Sequence, residues 1–192
     1  MDILEGPIAV LGVVLVVSGV LKLVDTAPTE AMLGAVGLPR SRAAVVVVAL
    51  AEVVVGVSAF VFGGRLASAA LAALYGGFAV ISLVLVRRGE RNVSCGCFGR
   101  SSATISPVHV AVDAVAALIG LAAAITSVPG FFDLQPDLPA FGLVQLAFVA
   151  LAAWLTIAVL TVLPETLDAA RRTPASDPSA VRTFGLVSET AP

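Results

Sequence analysis

Residues 43–62 read AAVVVVALAEVVVGVSAFVF, and this stretch decides the class of fold. A helix crosses about 30 Å of hydrocarbon with about 20 mostly apolar residues. This block has that length and a single charged residue, Glu52. Its apolar residues run on without the polar–apolar alternation of a transmembrane strand, so the block predicts a membrane-spanning helix. Four more blocks share its character: Pro7–Val24, Leu66–Val86, Pro107–Val128 and Phe141–Leu163. Lys22, Glu52 and Asp113 are the charged residues inside the five; every other Lys, Arg, Asp and Glu sits in the connections and tails.

The whole chain agrees. Of its 192 residues, 59% are hydrophobic and 12% charged, against about 25% charged in a typical soluble domain. Mean hydropathy is +1.06. So little charge cannot solvate a water-facing surface, which excludes a cytosolic globular enzyme. The net charge of −2 supplies no basic stripe for nucleic acid. The expected fold class is all-α, a polytopic helical bundle in a lipid bilayer. Residues 1–165 form its membrane domain, and residues 166–192 form a polar, disordered tail with a short helical exit over 164–172. The leader before the first block carries Asp2 and Glu5, acidic where a signal peptide is basic, so that block is expected to stay as a helix.

Sidedness follows from Lys and Arg. Arg65 is the one basic residue on the side of the N-terminus; the other ten lie on the opposite side. That asymmetry predicts a plasma-membrane protein with its N-terminus outside and its C-terminus in the cytoplasm. The connection 25–42 carries Ala31, Met32, Leu33, Val36 and Leu38, and predicts a short amphipathic helix along the interface, ended by Gly37 and Pro39. Ala and Gly throughout the third and fourth blocks permit close helix packing and a homo-oligomer.

Few residues can carry chemistry. Both cysteines of the chain fall in Ser94-Cys95-Gly96-Cys97-Phe98-Gly99-Arg100. A disulfide across Cys-Gly-Cys closes almost no loop and would add little stability. If strained, it is labile and suits exchange. Glycine between the cysteines allows the dihedrals such a ring needs, and Arg100 with its neighbouring arginines favours the thiolate. A redox-active dithiol is the favoured reading. The alternatives are two inert thiols in a glycine-rich turn, or a soft-metal site with His109. No second cysteine pair exists to complete such a site, so no metal is expected.

His109 and Asp113 stand four residues apart on one face of the fourth block, as a proton relay or as a histidine satisfied near the interface. Glu52, mid-span, reads as a proton or ligand site, or as a protonated carboxyl bonded to a neighbouring helix. Lys22 reads most simply as snorkelling to the headgroups. Lys22, Asp25, Cys95, Cys97, His109 and Asp113 all belong to the basic side.

The run Cys95-Gly96-Cys97-Phe98-Gly99 resembles the CGCFG signature of the MauE proteins of methylamine utilisation, which belong with the DoxX-like membrane proteins. Ser18-Gly19-Val20-Leu21-Lys22-Leu23 is similar to the small-Gly-x-x-Lys-Leu pattern that ends that family's first helix, and Glu52 follows a Gly37-Leu38-Pro39 connection as its acidic residue does. The resemblance spans residues 7–128 and implies a four-helix core, to which this chain adds a fifth transmembrane helix. The fourth helix departs from it, with Val112-Asp113 where an Arg-Asn pair is frequent. It implies a redox-associated membrane protein working with a thioredoxin-like partner. In the methylamine system that partner is extracytoplasmic, whereas the charge count puts these cysteines inside.

The resulting expectation is a membrane thiol–disulfide oxidoreductase acting through Cys95 and Cys97. Gly96, Phe98, Gly99 and Arg100 shape the motif, His109 or Asp113 accepts protons, and Glu52 with Lys22 forms a ligand or proton site, a quinone being the candidate cofactor. Two other readings stand beside it: a non-catalytic scaffold for assembly of a partner protein, and a small-molecule carrier built on Glu52.

Overall fold

The computed structural model describes residues 3–90, 105–131 and 139–172. Among these residues there are six helices and no strand. They are α1 (Glu5–Val24), α2 (Ala27–Ala35), α3 (Arg42–Val61), α4 (Gly64–Arg88), α5 (Pro107–Thr126) and α6 (Pro139–Arg172). All but α2 contain a stretch long and apolar enough to cross a membrane, in α6 the segment Gly142–Leu163. The protein is thus a polytopic helical bundle. α6 continues without a break to Arg172, and residues 173–192 lie outside the described residues.

Local sequence sets the ends. Ser41 caps α3 by accepting from the Ala44 amide at 3.3 Å. Pro107 opens α5 at a position where the missing N–H costs nothing. Gly89 closes α4 in the left-handed conformation at φ 73°. The short helix expected in the first connection is α2. It buries Thr29 and Met32, and Arg88 at the end of α4 donates to its last carbonyl, on Ala35, at 3.1 Å.

The bundle is built from two closely packed pairs, α1 with α3 and α4 with α5, with α6 laid against α1. Small residues make the close approach possible. A Cβ placed on Gly12 would sit 2.8 Å from the Gly56 carbonyl oxygen, so the α1 and α3 backbones touch there. Gly120 on α5 meets the α4 backbone at Ala72 in the same way. Tyr75 then ties the pairs together, its hydroxyl donating to the Leu11 carbonyl at 2.9 Å. Ile8, Leu11, Leu15, Leu71, Tyr75 and Ala116 belong to the core between them. At the N-terminal side the α3–α4 turn is pinned to the end of α5, where the Gly64 amide donates to the Val128 carbonyl at 2.7 Å.

The outer faces carry Val47, Val54, Leu118, Leu121, Phe148 and Trp154, all exposed. In water this would be a severe apolar liability; facing hydrocarbon it is the expected surface of a bilayer protein.

Candidate polar site at the basic end of the bundle

α1 runs towards the basic side and α3 away from it, so the two helices are antiparallel. Side chains lean towards the N-terminus of their own helix. Lys22, near the end of α1, therefore leans into the bundle, and Glu52, midway along α3, leans back towards it. They meet. Lys22 Nζ lies 2.8 Å from Oε1 and 2.8 Å from Oε2 of Glu52, with the two side chains 1% and 0% exposed. One turn back on α1, Ser18 Oγ accepts from the same ammonium at 2.6 Å. The Phe78 ring of α4 stands with its centroid 5.1 Å from Nζ, a cation–π distance. Carboxylate, hydroxyl and ring surround an ammonium whose three hydrogens can only donate.

Gly19 makes this possible. A Cβ there would lie 2.6 Å from the Ala49 carbonyl oxygen and 3.1 Å from the Glu52 Cβ. Any larger residue would hold α1 and α3 apart at the level of the ion pair. The Ser-Gly-x-x-Lys spacing thus has a physical content: a hydroxyl one turn before the lysine, and a backbone contact between them.

The snorkelling expected of Lys22 is corrected here. Its ammonium points away from the headgroups because a buried acid and a hydroxyl wait for it deeper in the bundle. Both partners cost far more to bury apart than together.

His109 and Asp113 form a second buried pair of polar residues, 2% and 6% exposed. His109 sits in the first turn of α5. Its Nδ1 lies 3.1 Å from Ser106 Oγ, the residue that precedes the helix. Asp113 follows one turn deeper on the same face. Between these residues and Ser18 lies a cavity of about 20 Å³, also lined by Tyr75 and Phe78. Ser18 and Phe78 touch Lys22 and also line the cavity beside His109 and Asp113, which brings the two buried pairs into one region of the bundle.

A larger cavity of about 90 Å³ lies under α2, walled by Thr29, Met32, Val45, Val48, Phe78 and Ser82 with Lys22 at its edge. Glu52 is not among its lining residues.

Cys95, Gly96, Cys97, Phe98, Gly99 and Arg100 lie outside the described residues, as does the soft-metal alternative that needs both cysteines. The flanking described residues, Glu90 after α4 and Ile105 before α5, join that segment to the basic end of the bundle, the end where His109 lies.

Sequence reasoning named Ser18 only as the small residue of a motif, without a role, and passed over Tyr75, Phe78 and Ser106. Ser18 had a readable signal, since it stands four residues before a lysine in a spanning helix. Ser106 stood directly before a helix-opening proline. Tyr75 and Phe78 carried none, because nothing in α4 alone says which of its residues meets α1.

No curated protein and no solved structure matches the chain. The family model described as methylamine utilisation protein MauE matches residues 2–128, which covers α1 to α5. This multi-pass membrane protein therefore belongs to the MauE family.

Proposed function

We propose that the protein is a membrane thiol–disulfide redox protein that passes reducing equivalents through Cys95 and Cys97 to a thioredoxin-like partner. The family's description names methylamine utilisation, and we infer a role in maturing a redox protein of such a system. The observation that carries the reading is the buried His109–Asp113 pair at the start of α5, the helix into which the cysteine segment leads.

The chemistry balances as follows. One cysteine, as thiolate, attacks a partner disulfide and forms a mixed disulfide, releasing one partner thiolate. The second cysteine displaces the other. The pair Cys95–Cys97 is left oxidised and the partner reduced by two electrons. The two protons lost by the thiols match the two gained by the partner, and His109 or Asp113 holds them in passage. By the distribution of basic residues, this exchange faces the cytoplasm.

The carrier reading loses ground, because Glu52 already holds the chain's lysine with both oxygens. A transported cation would have to displace it.

Trapping tests the proposal. With Cys97→Ser, or with Cys95→Ser, one of the two variants accumulates a mixed disulfide with its partner that reductant releases. If neither variant forms an adduct and both exchange like the wild type, the proposal fails.

A further inference from the structure

The larger cavity, about 90 Å³ between α2, α3 and α4, differs in character from the buried pairs beside it. Met32 and Leu33 of α2, Val45 and Val48 of α3, and Phe78 and Ile81 of α4 line it, and the surface they present is almost wholly carbon. Lys22 at its edge brings no charge to it, because the ammonium is spent on Glu52 and Ser18. Water finds too few polar partners there to stay, and an empty space leaves the lining without contacts on one side. The cavity also has a way in. Ala44 and Val48 line it while standing exposed on α3, Val48 at 38%, so it opens towards the hydrocarbon around the bundle.

Arginines stand at the basic end above it. Arg40 lies across Gly34 of α2, where a Cβ would run into its Nε and sit 3.1 Å from its Cγ. Arg88, at the end of α4, donates to the carbonyl of the next residue, Ala35, at 3.1 Å. Two guanidinium groups from distant parts of the chain are thus drawn to one end of α2, and their near neighbours in sequence, Arg42 and Arg87, are exposed. The acids of the same connection are occupied at its other end, Asp25 accepting from the Ala27 amide at 3.2 Å and Glu30 from the Thr26 hydroxyl at 2.7 Å. At about 1.5 Å per residue along the helices, Val48 lies about 9 Å below Arg42 and Ile81 about 10 Å below Arg88. A lipid with its headgroup at the arginines therefore has its chains at the level of the cavity, within the nearer half of about 30 Å of hydrocarbon.

We propose that this is a binding site for one anionic phospholipid, its headgroup held by Arg40 and Arg88 and one acyl chain laid in the cavity beneath α2. The assignment rests on charge complementarity. A carbon-lined slot alone accepts the chain of any lipid. A slot topped by arginines, which pair with phosphate oxygens two bonds at a time, selects the headgroup that carries net negative charge. Phe78, whose ring covers the Lys22 ammonium, also lines the cavity, so the bound chain packs against the wall of the buried ion pair. The site does not depend on what the cysteines do.

The test offers the full chain, in detergent micelles, equal amounts of phosphatidylglycerol and phosphatidylcholine with identical chains, and native mass spectrometry counts the lipid that stays bound. The wild type should retain one phosphatidylglycerol over phosphatidylcholine by about tenfold, the order expected of two arginines beside an anionic headgroup. Equal retention overturns the proposal, with no variant required to fold. Arg40→Gln/Arg88→Gln should remove most of the preference, whereas Arg65→Gln at the opposite end should leave it unchanged. A preference that survives the first, or falls equally with the second, overturns the assignment to these arginines. Val48→Phe, which fills the slot from its rim, should lower the retention of both lipids, and glycerophosphoglycerol, the headgroup without chains, should not displace the bound lipid. Full retention in Val48→Phe, or displacement by the bare headgroup, means that the arginines hold a surface phosphate without the cavity, and overturns the site.

Discussion

Lys22 reaches Glu52 by turning inward, and its ammonium lies 2.8 Å from both carboxylate oxygens with neither side chain open to the surroundings. Two charges that a bilayer would tolerate only at great cost are made acceptable by one another, by Ser18 and by the Phe78 ring. The pair lies thirty residues apart in sequence and fixes how α1 and α3 are set against each other.

Removing one partner should therefore be much worse than removing both. Lys22→Met or Glu52→Leu alone leaves an uncompensated buried charge and should cost about 3–5 kcal/mol. The double variant Lys22→Met/Glu52→Leu should recover most of that loss. Thermal unfolding in detergent micelles checks it, and a double variant no more stable than either single one would contradict the account.

Gly19→Val should separate α1 from α3, because its Cβ position lies 2.6 Å from the Ala49 carbonyl oxygen. Overpacking of this kind costs about 1–3 kcal/mol, and here it also pulls Lys22 away from Glu52. Gly77→Ala is the contrast. A Cβ there meets nothing within 4 Å, and the gain in helix propensity should leave stability unchanged or raised by up to about 1 kcal/mol. The same unfolding measurement ranks the two.

The five spans were legible because a bilayer imposes one simple rule, an apolar run of fixed length, and residues 43–62 obey it almost without exception. Lys22 was misread because snorkelling depends on the lysine's own helix alone, whereas its fate was set by a residue on α3. The clue was present: Lys22 and Glu52 are opposite charges inside two blocks of a chain that keeps nearly all its charge outside. What no single block could state was the contact itself, which depends on Gly19 and Gly56 bringing two backbones together. Phe78 and Tyr75 were invisible for the same reason, since their roles exist only once α4 is placed against α1.

Tyr75→Phe should cost about 0.5–1.5 kcal/mol, the usual net value of one hydrogen bond, since it loses the bond to the Leu11 carbonyl and keeps the ring in the core. Chemical unfolding measures it. A loss several times larger would mean that the phenol does more than join the two helix pairs.

Sidedness is open to direct test. With ten of its eleven basic residues on one side, the protein should label at a cysteine placed on Arg65→Cys from outside intact cells, in a background of Cys95→Ser/Cys97→Ser. Labelling only after permeabilisation would reverse the orientation and move the exchange site to the outer face.

The central claim is that Cys95 and Cys97 form an exchangeable disulfide, and a redox trap in native membranes tests it most directly. Free thiols are blocked at once with a light alkylating reagent, disulfides are reduced, and the released thiols take a heavy one before mass spectrometry. The account predicts a heavy-labelled peptide carrying both cysteines that becomes light-labelled after mild reductant. Thiols that stay light-labelled even under added oxidant would contradict it.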